Sequence, residues 1–174
     1  MDSKALYKMS YGLYVTGVST QNGFGGSVVD SLSQISSGDP CRLALGSMNK
    51  NYTTESIRQS GEFTVSVLGQ DVDPFVIANF GFQSARDQSV HKWDNVKHEV
   101  KDGLPVLDGA LSYMRLGVEQ VIVYDTHTLF IAQVKDAWLG ASESVPLLYA
   151  SYLSTFKDEV FAAFADWKKQ NGIA

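Results

Sequence analysis

Ala110–Leu139, ALSYMRLGVEQVIVYDTHTLFIAQVKDAWL, is the stretch on which the fold turns. Val, Ile, Tyr, Thr and Phe crowd both halves, the residue types that suit extended, pleated backbone. Residues 110–123 and 126–139 read as two long strands, with Tyr124-Asp125 as the connection. Upstream, Tyr11–Ser19 reads as a strand, Gln21–Gly26 as a turn and Val28–Ser36 as a second strand of a hairpin. Arg42–Ser47 is a short apolar third strand. Phe63, Val65 and Val67 alternate with Thr64 and Ser66, the pattern of a half-buried strand.

Helices are inserted between these strands. Lys4–Met9 could form a short one. Thr53 or Thr54 can cap another that runs to about Gln59 and stops at Gly61. Asp73-Pro74 opens a third, through Phe80, with Pro in its first turn. Residues 81–109 are less regular, with a short strand at Val96–Val100 and a turn at Asp102-Gly103. Strands dominate and no βαβ rhythm appears, so the expected fold class is mostly β with short inserted helices, a closed or partly closed antiparallel barrel. The tail differs: Phe156, Val160, Phe161, Phe164 and Trp167 share one helical face. Thr155 with Asp158 suits its start and Gly172 its stop. The expected division is a barrel over residues 1–150 and an amphipathic helix over 151–174, packed on the barrel or on a partner subunit.

Composition narrows the function classes. The 174 residues are 44% hydrophobic and 19% charged, a globular balance. A net charge of −5, with no basic cluster beyond Lys168-Lys169, speaks against nucleic acid as a partner. The single cysteine, Cys41, excludes an internal disulfide and a cysteine-held cluster; it is a buried filler or a reactive thiol. No apolar run reaches the ~20 residues of a membrane span and the first residues form no signal peptide. The expectation is a soluble, cytoplasmic protein without a membrane partner.

Three segments could carry chemistry. Asn49-Lys50-Asn51-Tyr52-Thr53-Thr54 ends a strand and leads into a helix. First-turn N–H groups, hydroxyls and the Lys50 ammonium could converge there on one phosphate, although an ordinary capped helix would look the same. Ser27–Ser37 is rich in small hydroxyls, as expected of a strand facing water or of one lining a slot for a flat ring. His127 starts the strand THTLFIA. It lacks a second ligand at metal spacing, so no metal site is expected, and it is either a strand-end histidine beside a cofactor or a turn residue. Gly23-Phe24-Gly25-Gly26 is no phosphate loop, because a strand and not a helix comes after it.

Taken in order, Ala5–Val15, Gly26–Ser37, Asn51–Ile57, Ser60–Leu68, Phe80–Asp87 and Thr126–Val134 resemble the flavin reductase-like, FMN-binding split-barrel family, especially flavoredoxin-like proteins and the flavin domains paired with rubredoxin. The resemblance implies a homodimeric split β-barrel with FMN near the subunit interface and NAD(P)H as co-substrate. It implies Val29, Asp30, Ser31, Ser33 and Ser36 along the isoalloxazine and ribityl chain. It also implies Asn49, Lys50, Asn51, Thr53 and Thr54 at the phosphate, Ser84 and Arg86 near the flavin, and His127 as an orienter of nicotinamide. Asp30 stands where relatives usually carry Asn, and no rubredoxin cysteines follow the barrel. The implied activity is an oxidoreductase that passes electrons from NAD(P)H through flavin to a rubredoxin-like or other acceptor. Two alternatives are a non-enzymatic FMN electron carrier and a module binding haem or another ligand on the same barrel.

Overall fold

In the computed structural model, residues 2–173 are described. A 3-10 turn at Ser3–Lys8 takes the place of the expected first helix. Seven antiparallel strands follow in one sheet: β1 (Tyr14–Thr20), β2 (Gly23–Val29), β3 (Leu32–Ser36), β4 (Arg42–Met48), β5 (Glu62–Val67), β8 (Ser112–Val123) and β9 (His127–Leu139). A separate hairpin joins β6 (His98–Lys101) to β7 (Leu104–Leu107). Its turn, Asp102-Gly103, has positive φ at both residues, as a two-residue I′ turn demands.

The sheet order β2-β1-β5-β8-β9-β4-β3 decides its shape. The two edge strands, β2 and β3, are consecutive in the chain and separated only by Asp30-Ser31. Laid flat, seven strands would put those edges roughly 29 Å apart. The link from Val29 to Leu32 can span at most about 11 Å. The sheet must therefore curl until its edges meet, giving a barrel closed at one seam by covalent chain and not by a ladder. The expected second strand, Val28–Ser36, is thus two strands broken at that seam.

Inside the barrel, Val18, Leu45, Ile57, Phe63, Leu116 and Phe130 form one apolar core. Helix α1 (Tyr52–Ser60) contributes Ile57 and ends at Gly61, whose φ of 72° is the left-handed cap position. A second core, with Leu13, Val15, Phe80, Trp93, Leu147 and Val160, lies under helix α2 (Pro74–Phe82). The Asp73 carboxylate accepts from the Phe75 N–H at 2.8 Å and Pro74 opens the helix, as the sequence dictates.

Three further expectations need correction. Gly23–Gly26 is part of β2; the turn is Gln21-Asn22. Glycines are needed there because neighbours approach closely: a Cβ on Gly25 would meet the Thr20 methyl at 2.9 Å, and one on Gly26 would meet Thr16 O and, at 3.1 Å, the Phe80 ring. Strand β5 buries Thr64 and Ser66 as well as Phe63 and Val65. The β6–β7 hairpin covers that face, Thr64 donating to Pro105 O at 2.5 Å and Ser66 Oγ accepting from Leu107 N at 3.0 Å. Finally, the tail helix does not start at Thr155. It begins as α3 (Tyr149–Ser151), passes through a π turn at Tyr152–Phe156 and continues as α4 (Lys157–Gln170). Thr155 lies inside it, its hydroxyl bonding back to Ser151 O at 2.8 Å.

The composite helix packs on α2 through aromatic pairs, Phe75–Trp167 at 5.6 Å and Phe82–Phe161 at 5.0 Å between ring centroids. Among the described residues, no helix is long and apolar enough to cross a membrane.

Candidate functional site

The barrel seam opens into two adjoining cavities. The first, of about 360 Å³, has the seam and the end of β4 on one side: Val29, Asp30, Ser31, Gly46, Ser47 and Met48. Opposite stand Ile77, Gly81 and Phe82 from α2, with Tyr149 and Tyr152 from the tail helix; His127 is also in the lining. This is a slot between small strand residues and an aromatic wall. Gly46 permits the narrow floor, since its N–H reaches Ser31 O at 2.7 Å and a Cβ there would press on the Ser31 side chain at 3.1 Å. Asp30 is half-buried and its carboxylate accepts from the Ser31 hydroxyl at 3.0 Å.

The second cavity, of about 430 Å³, shares Val28, Met48, Asn51, Gly81 and Phe82 with the first. It is polar and cationic. Lys50, Asn51, Tyr52 and Thr53 enter from the start of α1, Gln83 and Ser84 follow α2, and Lys92 lies beneath; among the described residues no Asp or Glu lines it. Asn51 is the N-cap of α1, yet its side chain makes no capping bond. Tyr52 and Thr53 lead the helix, where N–H groups have no intrahelical acceptor and the dipole favours an anion.

Lys92 dominates this cavity. It is 3% exposed, and its ammonium donates to Gly26 O at 3.1 Å and Phe80 O at 3.2 Å. Among the described residues no carboxylate pairs with it. Burial pulls its pKa down from the usual lysine range to about 8. The buried Asn79 amide fixes its backbone by donating to Lys92 O at 2.8 Å, and Gln83 and Asn95 both donate to Asn79 Oδ1. A buried ammonium held by two neutral carbonyls calls for an anion. Sequence reasoning missed Lys92. The available signal was its place beside Trp93, a large apolar residue in an otherwise polar run.

Of the residues singled out from sequence, Val29, Asp30, Ser31, Lys50, Asn51, Thr53, Ser84 and His127 line the cavities. The others lie elsewhere for clear reasons. Ser33 and Ser36 lie further along the edge strand β3, and neither is in the lining of either cavity. The Thr54 hydroxyl is turned inward, 2.7 Å from Met48 O and 2.6 Å from Ser47 Oγ. Asn49 ties the β8–β9 turn down, donating to Tyr124 O at 2.8 Å and accepting from Thr128 Oγ1 at 2.7 Å, which holds the backbone on either side of His127. Arg86 is exposed and paired with Glu55 at 3.0 Å, its guanidinium 5.5 Å from the Tyr52 ring centre.

The model of the flavin reductase like domain matches residues 6–154. The chain belongs to this flavin reductase-like family. The flavin reductase-like domain is 34% identical over 154 residues to the high molecular weight rubredoxin of Moorella thermoacetica, covering 87% of this chain and 66% of that one. It is 32% identical to the ferric-chelate reductase (NAD(P)H) of Archaeoglobus fulgidus, covering 87% of this chain and 89% of the relative. Among solved structures, the styrene monooxygenase flavin reductase of Pseudomonas putida S12 superposes with a TM-score of 0.69 at 29% identity, over 83% of this chain and 89% of that one.

Proposed function

We propose that this flavin reductase-like domain holds FMN across the two cavities and works as an NAD(P)H-dependent oxidoreductase. The isoalloxazine lies in the seam slot and the phosphate in the cationic cavity. The carrying observation is Lys92, a buried ammonium that, among the described residues, has no carboxylate partner and sits in a cavity with no acidic lining. When bound, FMN supplies the exchange between a two-electron donor and one- or two-electron acceptors. The chain's own residues bind, orient and exclude water. Lys92, Lys50 and the start of α1 hold the phosphate; the seam strands and Phe82 enclose the ring. His127, exposed at the slot with its Nδ1 2.9 Å from the Thr126 hydroxyl, orients the incoming nicotinamide.

The test is a spectrum followed by a reaction. Purified protein mixed with FMN should show a perturbed flavin band, and NADH or NADPH should bleach it in a stopped-flow cell. A bound flavin that neither dinucleotide bleaches points to a carrier reduced by another protein. A Soret band in place of a flavin spectrum overturns the reading.

The name of the Moorella relative supports a rubredoxin-type protein as one electron acceptor. Asp30 should tune the driving force toward any acceptor. A carboxylate beside the ring disfavours the build-up of negative charge on reduction. Asp30→Asn should raise the two-electron potential, ~30 mV corresponding to about 1.4 kcal/mol. Dye-coupled titration measures it, and an unchanged or lowered potential takes Asp30 away from the ring.

We further assign a homodimer to the tip of the β8–β9 ribbon. Val121, Ile122, Val123 and Tyr124 are consecutive and 39–59% exposed, so both faces of the ribbon present apolar surface. Such a patch suits a second copy of the chain, joined by a two-fold axis. Because Asn49 bonds the turn of this ribbon, the partner would sit close to His127. Val121→Glu combined with Val123→Glu should turn a dimer into a monomer in sedimentation at micromolar protein. A double variant that sediments like the wild-type dimer places the interface elsewhere.

A further inference from the structure

The aromatic wall of the slot is delivered by the start of the tail helix, where Tyr149 and Tyr152 pack against the second core and also line the slot. Just before α3 the chain is pinned to the barrel: Leu147 N–H bonds to Leu68 O and Tyr149 N–H to Tyr11 O, at 2.9 and 2.8 Å. Tyr149 and Tyr152 then stack at 5.8 Å with 29° between their planes, and both line the slot. On an unbroken α-helix, these two residues would share one stripe with Phe156, Val160 and Phe164. The π turn at Tyr152–Phe156 adds a residue, and an added residue rotates the helix before it by about 100° relative to the helix after it. Val160 is fully buried in the second core, and the two tyrosines pack against that same core at the helix start while bordering the slot.

Among the described residues, neither phenol hydroxyl has a hydrogen-bond partner. Burial, and next the neighbouring Tyr149, raise the Tyr152 hydroxyl above its ordinary pKa, so it stays a neutral donor. Two unengaged hydroxyls on a stacked aromatic wall match a planar ring that carries a group able both to accept and to donate. The dimethylbenzene edge of a flavin has no such group; the carboxamide of nicotinamide does. The polar edge of the flavin is answered on the other side of the slot by Asp30 and Ser31.

We propose that Tyr149 and Tyr152 form the wall on which the nicotinamide of the reductant docks, their hydroxyls facing its carboxamide. This rests on the reading of the slot as the FMN and NAD(P)H site.

Binding is tested with tetrahydro-NADH, a dinucleotide that cannot give up hydride, by calorimetry on the FMN-loaded protein. Tyr152→Ala should weaken it about tenfold and Tyr152→Phe about threefold, while the FMN dissociation constant from fluorescence quenching stays within about threefold. Thermal melting of the same variants confirms that they fold, and dithionite should reduce all of them alike. Equal losses for FMN and the dinucleotide would move the tyrosines to the flavin. Unchanged dinucleotide binding in both variants would reduce the tyrosines to packing, and either result overturns the proposal. If the wild-type chain takes up no FMN, the reading of the slot fails and this proposal fails with it. If it binds both ligands and the variants are indifferent, only the proposal fails.

Discussion

Lys92→Met weakens FMN binding by on the order of 100-fold and leaves riboflavin within about threefold, because removing one partner of a buried charge pair costs roughly 2–5 kcal/mol. Met keeps the length and apolar stem of the side chain, so the change removes charge with little loss of volume. Lys50→Ala, at an exposed position of the same cavity, should cost less, about tenfold. Fluorescence titration with the two flavins decides: equal losses for FMN and riboflavin would take the phosphate away from Lys92.

The same ammonium gives a pH signature. With its pKa near 8 in the free protein, Lys92 is charged below that pH and neutral above it. A bound phosphate dianion raises that pKa, so FMN affinity should be flat from pH 6.5 to 7.5 and fall above pH 8, toward tenfold per pH unit, with riboflavin flat throughout. Stability of the free protein moves the other way. Between about pH 8 and the unfolded lysine value of roughly 10.4, the unfolded chain binds more protons, so unfolding free energy rises with pH. The burial penalty is present in full below pH 8, and Lys92→Met should lack the rise. Denaturant titrations at pH 7.5 and 9.5 compare the two proteins.

Trp93→Ala lowers stability by about 3–5 kcal/mol, the usual cost of truncating a fully buried aromatic. Trp93 is 2% exposed, donates to Gly25 O at 2.9 Å and meets Phe80 edge-on at 4.7 Å. For a chain of this length that corresponds to a melting temperature lower by roughly 6–20 °C. Trp93→Phe restores apolar volume and should recover part of it. A fall of under about 3 °C for the alanine variant would mean that the α2 core is not the cooperative unit that the packing indicates.

The two long strands β8 and β9, the Asp73-Pro74 helix start, the Gly61 cap and the Asp102-Gly103 turn are legible in the sequence because each rests on local pattern or turn chemistry. The Thr64 and Ser66 face of β5 is not. Its hydroxyls look solvent-facing until the β6–β7 hairpin, some forty residues on, supplies Pro105 O and Leu107 N as partners. Gly25 and Gly26 look like turn residues, yet their use within β2 is to admit close neighbours, and the Phe80 ring against Gly26 is again a distant cause. The tail's apolar spacing marks a helical face correctly, but a π turn leaves no trace in periodicity, so the spacing puts the helix start too late.

The candidate site divides the same way. Residues beside the seam and the start of α1 are reached from sequence because strand end and helix start fix their positions. Ser33, Ser36 and Arg86 come after those segments in sequence and diverge in space. Lys92 becomes visible only through burial, which no spacing announces.

A sheet sewn shut by Asp30 and Ser31 is a hoop with a gap, and the gap is where a flat ring is proposed to lie. Strands β5, β8 and β9, opposite, have a hydrogen-bonded neighbour on each side; β2 and β3 have one each. The hoop is slackest at its own mouth. A ring wedged there acts as a strut, and whatever binds the closed hoop more tightly than the open chain shifts the balance toward closure. Loading the protein and finishing its fold are then one equilibrium, read from two ends.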